Sequence, residues 1–231
     1  MMSVLQYARR AHPKKLIHLA SDEIFGPASD GVAHTEKDRF NPSSPYSASK
    51  AAQTCYAMSW WRTYQTPVMT VCPANMFAER QSPEKFLPLC ISKIVKGEII
   101  KIHGLAGRIG RRTYMHARNI SDAILFLLNN VEPSKYNPLS EETQSMEMFN
   151  IFGKDEFSNL EIAQKIAKII DKPLKYELVS FQEVRPGHDF LYRCNDDKIR
   201  NLGWREPVAF EESLERMVKW TIRPENSIWL K

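Results

Sequence analysis

The chain has 231 residues, 43% of them hydrophobic and 26% charged, with a net charge of +5. That length supports one good core, or one core with a smaller appended lobe. No run approaches the roughly 18 apolar residues of a membrane span, the first ten residues lack the apolar stretch of a signal peptide, and Cys55, Cys72, Cys90 and Cys194 show no metal-ligand spacing, so a cytoplasmic protein with reduced thiols, no membrane contact and no metal is expected.

Residues 1–11 read as the end of a helix, and residues 15–20 (KLIHLA) as a short buried strand. A polar stretch with Pro27, Gly31, Pro42 and Pro45 reads as loop. Ser43 or Ser44 then caps a helix with Pro45 in its first turn, running to about Tyr64 and stopped by Pro67. Residues 68–72 (VMTVC) are the next buried strand. Strand, long helix, strand makes a right-handed parallel unit of a doubly wound sheet.

Beyond it the texture is mixed. Residues 84–97 read as helix, 98–103 as strand, 119–130 as helix and 149–152 as strand. Residues 159–170 form an amphipathic helix capped by Ser158, 176–179 a strand and 210–221 a last helix. The predicted fold class is α/β. A partial Rossmann-type doubly wound parallel sheet covers 1–77 and 114–152, and a smaller α+β substrate lobe covers 78–113 and 153–231. Arg108, Arg111, Arg112 and Arg118 form one local arginine cluster. That pattern suits a small polyanion such as a diphosphate at least as well as nucleic acid, and no nucleic-acid partner is expected.

Two constellations carry chemistry. Tyr46 and Lys50 are four residues apart, which puts both on one helix face. An ammonium beside a phenol lowers the phenol's pKa and makes it a base near neutral pH. Ser21, Asp22 and Glu23 directly follow the strand KLIHLA, and open parallel sheets build their sites at strand carboxyl ends. A hydroxyl, two carboxyls, a phenol and an ammonium are therefore expected to converge.

The run Ser21-Asp-Glu-Ile-Phe-Gly26, followed by Pro42-Ser-Ser-Pro-Tyr-Ser-Ala-Ser-Lys-Ala-Ala52, resembles the extended short-chain dehydrogenase/reductases, most closely the dTDP-glucose 4,6-dehydratases among them. Further matching segments are Asn75, Pro83-Glu-Lys85, Arg112, Phe149-Asn-Ile151, Arg185-Pro-Gly-His-Asp189 with Tyr192, and Leu202-Gly-Trp204. The resemblance implies transient reduction of NAD. Tyr46, with Ser21, would take the sugar 4-hydroxyl proton. Glu23 would remove the C5 proton, and a protonated Asp22 would donate to the departing 6-hydroxyl. Lys50 would hold the nicotinamide ribose and tune Tyr46. It further implies a nucleotide-diphosphate sugar, dTDP-glucose favoured, clamped by Arg112 and Arg185, with Asn75, Lys85 and Asn150 nearby and His188 and Tyr192 along the nucleotide.

Departures accompany the match. Phe77-Ala-Glu79 replaces a usual Tyr-Gly-Pro, Lys101 and His103 stand where proline and tyrosine are common, and Arg118-Asn119 replaces a frequent acidic pair. The family's N-terminal strand, glycine-rich turn and helix are not found. Gly104, Gly107 and Gly110 have the right spacing, but an extended segment follows them rather than a helix. The expectation is a chain lacking its cofactor-binding part, with an exposed edge beside KLIHLA. A homodimer, or a partner chain that supplies the N-terminal half, is expected. The alternatives are a catalytically silent sugar-nucleotide-binding or assembly protein, and a related NAD-dependent epimerase or decarboxylase, against which Asp22, Glu23 and the RPGHD segment argue.

Overall fold

The computed structural model describes residues 1–29, 31–105, 107–142, 144–180 and 189–230. In chain order the elements are α1 (Met2–Ala11), β1 (Leu16–Leu19), a 3-10 turn (Asp22–Phe25), α2 (Pro45–Tyr64), β2 (Val68–Pro73), β3 (Asn75–Phe77), α3 (Phe86–Lys96) and β4 (Ile100–Leu105). There follow β5 (Arg108–Ile109), β6 (Arg111–His116), α4 (Ala117–Asn130), β7 (Met148–Ile151), β8 (Glu156–Ser158), α5 (Asn159–Ile170), β9 (Tyr176–Ser180), α6 (Asp197–Asn201), α7 (Phe210–Thr221) and a 3-10 segment (Pro224–Leu230). The chain divides into two compact units. One holds Met1–Ala74, Ser121–Phe152 and Arg193–Arg205; the other holds Asn75–Ile120, Gly153–Tyr192 and Glu206–Lys231.

The first unit is built on an all-parallel sheet in the order β1-β2-β7. Every residue of β2 is buried, as expected of a central strand covered on both faces. The Ser44 hydroxyl accepts from the Ser47 N–H, the Ser47 side chain returns the bond, and Pro45 opens α2 where its missing N–H costs nothing. Gln65 in the left-handed region closes the helix two residues before Pro67. Ala57 and Trp61 of α2 pack with Val68 and Met146, and the Trp61 indole donates to Ser134 O at 2.6 Å. Lys15 donates to Leu128 O at 2.9 Å and Val131 O at 2.8 Å, which satisfies orphan carbonyls at the end of α4.

The second unit carries two mixed sheets, β3-β6-β8 and β5-β4-β9. In the first, β6 pairs β3 in parallel and β8 antiparallel; in the second, β4 pairs β9 in parallel and β5 antiparallel. Their shared core is a buried cluster that includes Ile91 and Ile94 of α3, Ile162 and Ile166 of α5, and Leu214 and Val218 of α7. The i, i+3 or i, i+4 spacing of each pair makes one apolar stripe per helix. The α/β reading holds: a parallel Rossmann-type sheet is joined by a unit of mixed sheets. Segment 193–205 groups with the parallel-sheet unit.

Helix α5 starts where Ser158 and Glu161 cap each other. Ser158 Oγ accepts from Glu161 N at 3.1 Å, and Glu161 Oε2 accepts from Ser158 N at 2.6 Å. Ser158→Ala is expected to lower stability by about 1 kcal/mol, read as an earlier midpoint in chemical denaturation with an unchanged slope.

Candidate active site

The carboxyl end of β1 delivers Ala20 and Ser21 into the 3-10 turn. Ser21 caps that turn: its hydroxyl accepts from Glu23 N at 3.3 Å and donates to Asp22 Oδ1 at 3.1 Å, while Asp22 Oδ1 also accepts from Glu23 N at 3.0 Å. Asp22 is only 4% exposed. Two residues of the strand exit thus point their polar atoms at one another and hold the third, Glu23, by its backbone.

Tyr46 lies in the first turn of α2 and meets this group. Ser21 hydrogen-bonds the phenol, and Glu23 and Asp22 both act on it through their charge. Burial first, then Glu23, raise the phenol's pKa above its ordinary value; Ser21 opposes the rise and Asp22 adds to it. This reverses the direction read from the Tyr46–Lys50 spacing. Burial and the facing carboxylates decide the direction, and Lys50 Nζ donates to Leu19 O at 3.0 Å. Tyr46 as a whole is 54% exposed, which leaves the residue open to solvent.

The remaining candidate residues fall into two places. Asn150 belongs to the parallel-sheet unit and is fully buried in β7. Its N–H donates to Glu36 Oε1 at 2.9 Å, and its side-chain amide donates to Asn195 O at 3.1 Å and His34 O at 3.4 Å. It ties the 26–44 loop to segment 193–195. Asn75, Lys85, Arg112 and Tyr192 belong to the other unit. There Arg112, 6% exposed, donates to Arg111 O (2.7 Å), Phe190 O (2.8 Å) and Asp189 O (2.6 Å), and its guanidinium sits 4.5 Å over the Tyr192 ring. The structure brings Arg112 and Tyr192 together and sets Arg112 to gripping the backbone that leads to Tyr192. Arg185 and His188 lie outside the described residues.

The departures in the sequence acquire local partners. Glu79 accepts from His116 Nε2 at 3.0 Å and from Arg216 Nε at 2.9 Å, while His116 Nδ1 accepts from Arg118 N at 3.1 Å. Burial pushes the Glu79 carboxyl up, but its backbone N–H, His116 and Arg216 outweigh that and hold it below the usual range. Asn119 donates to Glu206 Oε1 and Val208 O. Sequence reasoning missed the contacts of Glu79 with His116 and Arg216 because these residues are far apart in the chain. Gly104 pairs with Ile109 across the antiparallel β4–β5 ladder, so the Gly104–Gly110 run lies on a hairpin and opens no helix. Among the described residues there is no cluster of metal-ligating side chains and no helix long and apolar enough to cross a membrane.

A parallel sheet whose strand exit carries Ser-Asp-Glu against a Tyr-x-x-x-Lys helix defines the extended short-chain dehydrogenase/reductase class. A profile of the GDP-mannose 4,6 dehydratase family matches residues 1–217, and the chain belongs to that family of nucleotide-sugar dehydratases and epimerases. It is 36% identical over 214 residues to dTDP-glucose 4,6-dehydratase of Haemophilus influenzae, covering 88% of this chain and 59% of that protein. It is 29% identical over 217 residues to dTDP-D-glucose 4,6-dehydratase of Mus musculus, covering 92% and 57%. The chain therefore spans a little over half the length of these curated relatives. Among solved structures it resembles dTDP-glucose 4,6-dehydratase of Bacillus anthracis in complex with NAD, with TM-score 0.83, 27% identity, and coverage of 100% of this chain and 69% of that one. UDP-glucose 4-epimerase of Thermus thermophilus, at TM-score 0.82 and 20% identity, covers 94% of this chain and 67% of that one and shares the fold.

These matches overturn the sequence reading of a remnant that lacks its cofactor-binding part and relies on a partner chain for an N-terminal half. The family profile matches residues 1–217, and the NAD-bound dehydratase structure aligns with the whole of the chain. No second polypeptide is invoked. The exposed edge from which that reading drew its force is also occupied in part, since the Lys50 ammonium sits on the Leu19 carbonyl there, and a lysine is a common guard of a strand edge.

Proposed function

We propose that the chain is an NAD-dependent nucleotide-sugar 4,6-dehydratase acting on dTDP-glucose. The observation that carries this reading is the Ser21–Asp22–Glu23 turn set against the phenol of Tyr46. An epimerase needs the phenol alone, whereas loss of water needs an additional acid and base. Bound NAD would supply the acceptor for the C4 hydride and the donor of the same hydride to C6. The Ser21 hydroxyl turns from Asp22 to donate to the Tyr46 phenolate, which takes the 4-hydroxyl proton and becomes the neutral phenol. Glu23 takes the C5 proton, made acidic by the 4-ketone, and returns it to C5 as the hydride reaches C6. Asp22, buried and in its protonated form, gives a proton to the leaving 6-hydroxyl.

The chain's residues fit the nicotinamide end of the cofactor. Lys50 and Tyr46 place an ammonium and a phenol at the carboxyl end of β1, where open parallel sheets bind their ligands, and these two would hold the nicotinamide ribose. On this reading the parallel-sheet unit is the cofactor side and the second unit the substrate lobe. Asn75, Lys85 and Tyr192 bind the nucleotide-diphosphate there, with Arg112 organising Tyr192, and Arg185 and His188 complete the set. Asn150 is a further residue of the proposed substrate-binding set. The four unpaired cysteines accord with a cytoplasmic setting.

The test is incubation of the purified chain with NAD and dTDP-glucose, with the sugar product followed by NMR. A 4-keto-6-deoxy sugar is expected. A folded chain that leaves dTDP-glucose unchanged sinks the proposal, and a C4 epimer as the product would favour epimerase chemistry instead.

A further inference from the structure

Two consecutive residues of β1 grip Lys50. Leu16 N donates to Pro67 O and Ala20 N to Val71 O, so the even-numbered residues of β1 face β2. Leu19 therefore turns its carbonyl to the opposite edge, where the Lys50 ammonium meets it at 3.0 Å. One residue earlier stands His18, 6% exposed, with Nε2 at 3.3 Å from Thr54 Oγ1. Thr54 is fully buried and donates its own proton to the Lys50 carbonyl at 3.0 Å. It can then only accept from the ring, which makes His18 the neutral tautomer protonated at Nε2.

The surroundings keep it neutral. Burial, then the Lys50 ammonium, then the α-amino group of Met1 push His18 from 6.5 down to about 4. A second positive charge there would oppose Lys50 directly. The ring is thus a fixed, uncharged donor at the helical turn from which the Lys50 side chain departs.

We propose that His18 is a positioning residue for Lys50: through Thr54 it fixes the turn of α2 that carries the ammonium, and its neutral ring leaves the positive charge at that end of β1 to Lys50. The kinetic arm of the test rests on the dehydratase reading; the spectroscopic arm does not. The variants are His18→Leu, which removes the donor, His18→Gln, whose amide reaches about as far as Nε2, and Thr54→Val, which keeps the shape and loses the hydroxyl. Lysines are labelled by reductive methylation with 13C-formaldehyde, and the Lys50 signal is identified by its loss in Lys50→Arg.

In His18→Leu and Thr54→Val the Lys50 signal is expected to move, while His18→Gln stays near the unsubstituted chain. Turnover should fall about tenfold in His18→Leu, with KM for dTDP-glucose within about twofold, and recover in His18→Gln. A Lys50 signal unmoved in folded His18→Leu overturns the proposal, and so do equal losses in the Leu and Gln variants. If His18→Leu does not fold, an unmoved signal in Thr54→Val overturns it. Absence of turnover in the unsubstituted chain counts against the dehydratase reading and leaves the Lys50 signal to decide this one.

Discussion

Glu23→Gln is expected to stop product formation, with turnover falling by about 10²–10⁴-fold, while the first oxidation survives. The turn that holds Glu23 does so through its backbone N–H, which donates to Ser21 Oγ and Asp22 Oδ1. The substitution therefore leaves the turn in place and removes only the base that takes the C5 proton. The oxidised sugar and reduced nicotinamide should accumulate together, visible as the near-ultraviolet absorbance of the reduced cofactor in a single turnover. A second consequence has a defined sign. The Glu23 charge is the second-largest influence raising the Tyr46 phenol, after burial. Without it the phenolate forms at lower pH, so the rising limb of the single-turnover oxidation should move toward acid. Full turnover in Glu23→Gln would remove Glu23 from the role of base. An unmoved limb would mean that Tyr46 does not gate the first step.

The parts of this molecule legible in the sequence are those fixed by local chemistry. Helix α2 begins at Pro45 and α5 at Asn159, as read, because Ser44 and Ser158 find their capping partners within three residues. The run VMTVC reads as a buried strand because β2 has neighbours on both sides. Strands β3 and β8, with three residues each, are too short to show alternation and exist only through their pairing with β6. The segment RRTYMH looks merely extended in sequence, yet it is the strand β6 that joins them.

The site divides in the same way. Convergence of Ser21, Asp22, Glu23 and Tyr46 followed from the strand-exit rule. The direction of the Tyr46 shift did not, because spacing alone shows that two side chains share a helix face but not the burial and facing carboxylates that decide the shift. Nor does it show which acceptor a long lysine stem will reach, here the Leu19 carbonyl. Arg112 repeats the lesson: a guanidinium suited to phosphate is equally suited to the carbonyls of Asp189 and Phe190.

Gly26→Ala should be among the most damaging single-methyl additions in the parallel-sheet unit, costing about 3 kcal/mol or more from backbone strain and overpacking together. Gly26 ends the 3-10 turn at φ +78°, ψ −165°, a region essentially restricted to glycine. A Cβ there would stand 2.2 Å from the Asn41 carbonyl oxygen. Asn41 cannot simply retreat, since its N–H donates to Ile24 O at 2.9 Å. The turn is packed from its other side as well, with Phe25 stacked on His34 (5.6 Å) and edge-on to Phe40 (5.8 Å). Displacing Asn41 therefore pulls on the turn that presents Ser21 and Glu23, so turnover should fall along with the denaturation midpoint. Gly31→Ala is the matched control. Its φ is +77° but nothing lies within 4 Å of an added Cβ, so only the backbone term remains, about 1 kcal/mol, with turnover retained. Equal midpoints for the two variants would show that the Asn41 contact is not what fixes the turn, and the seating of Glu23 against Tyr46 would then have to come from the Ser21 cap and the phenol alone.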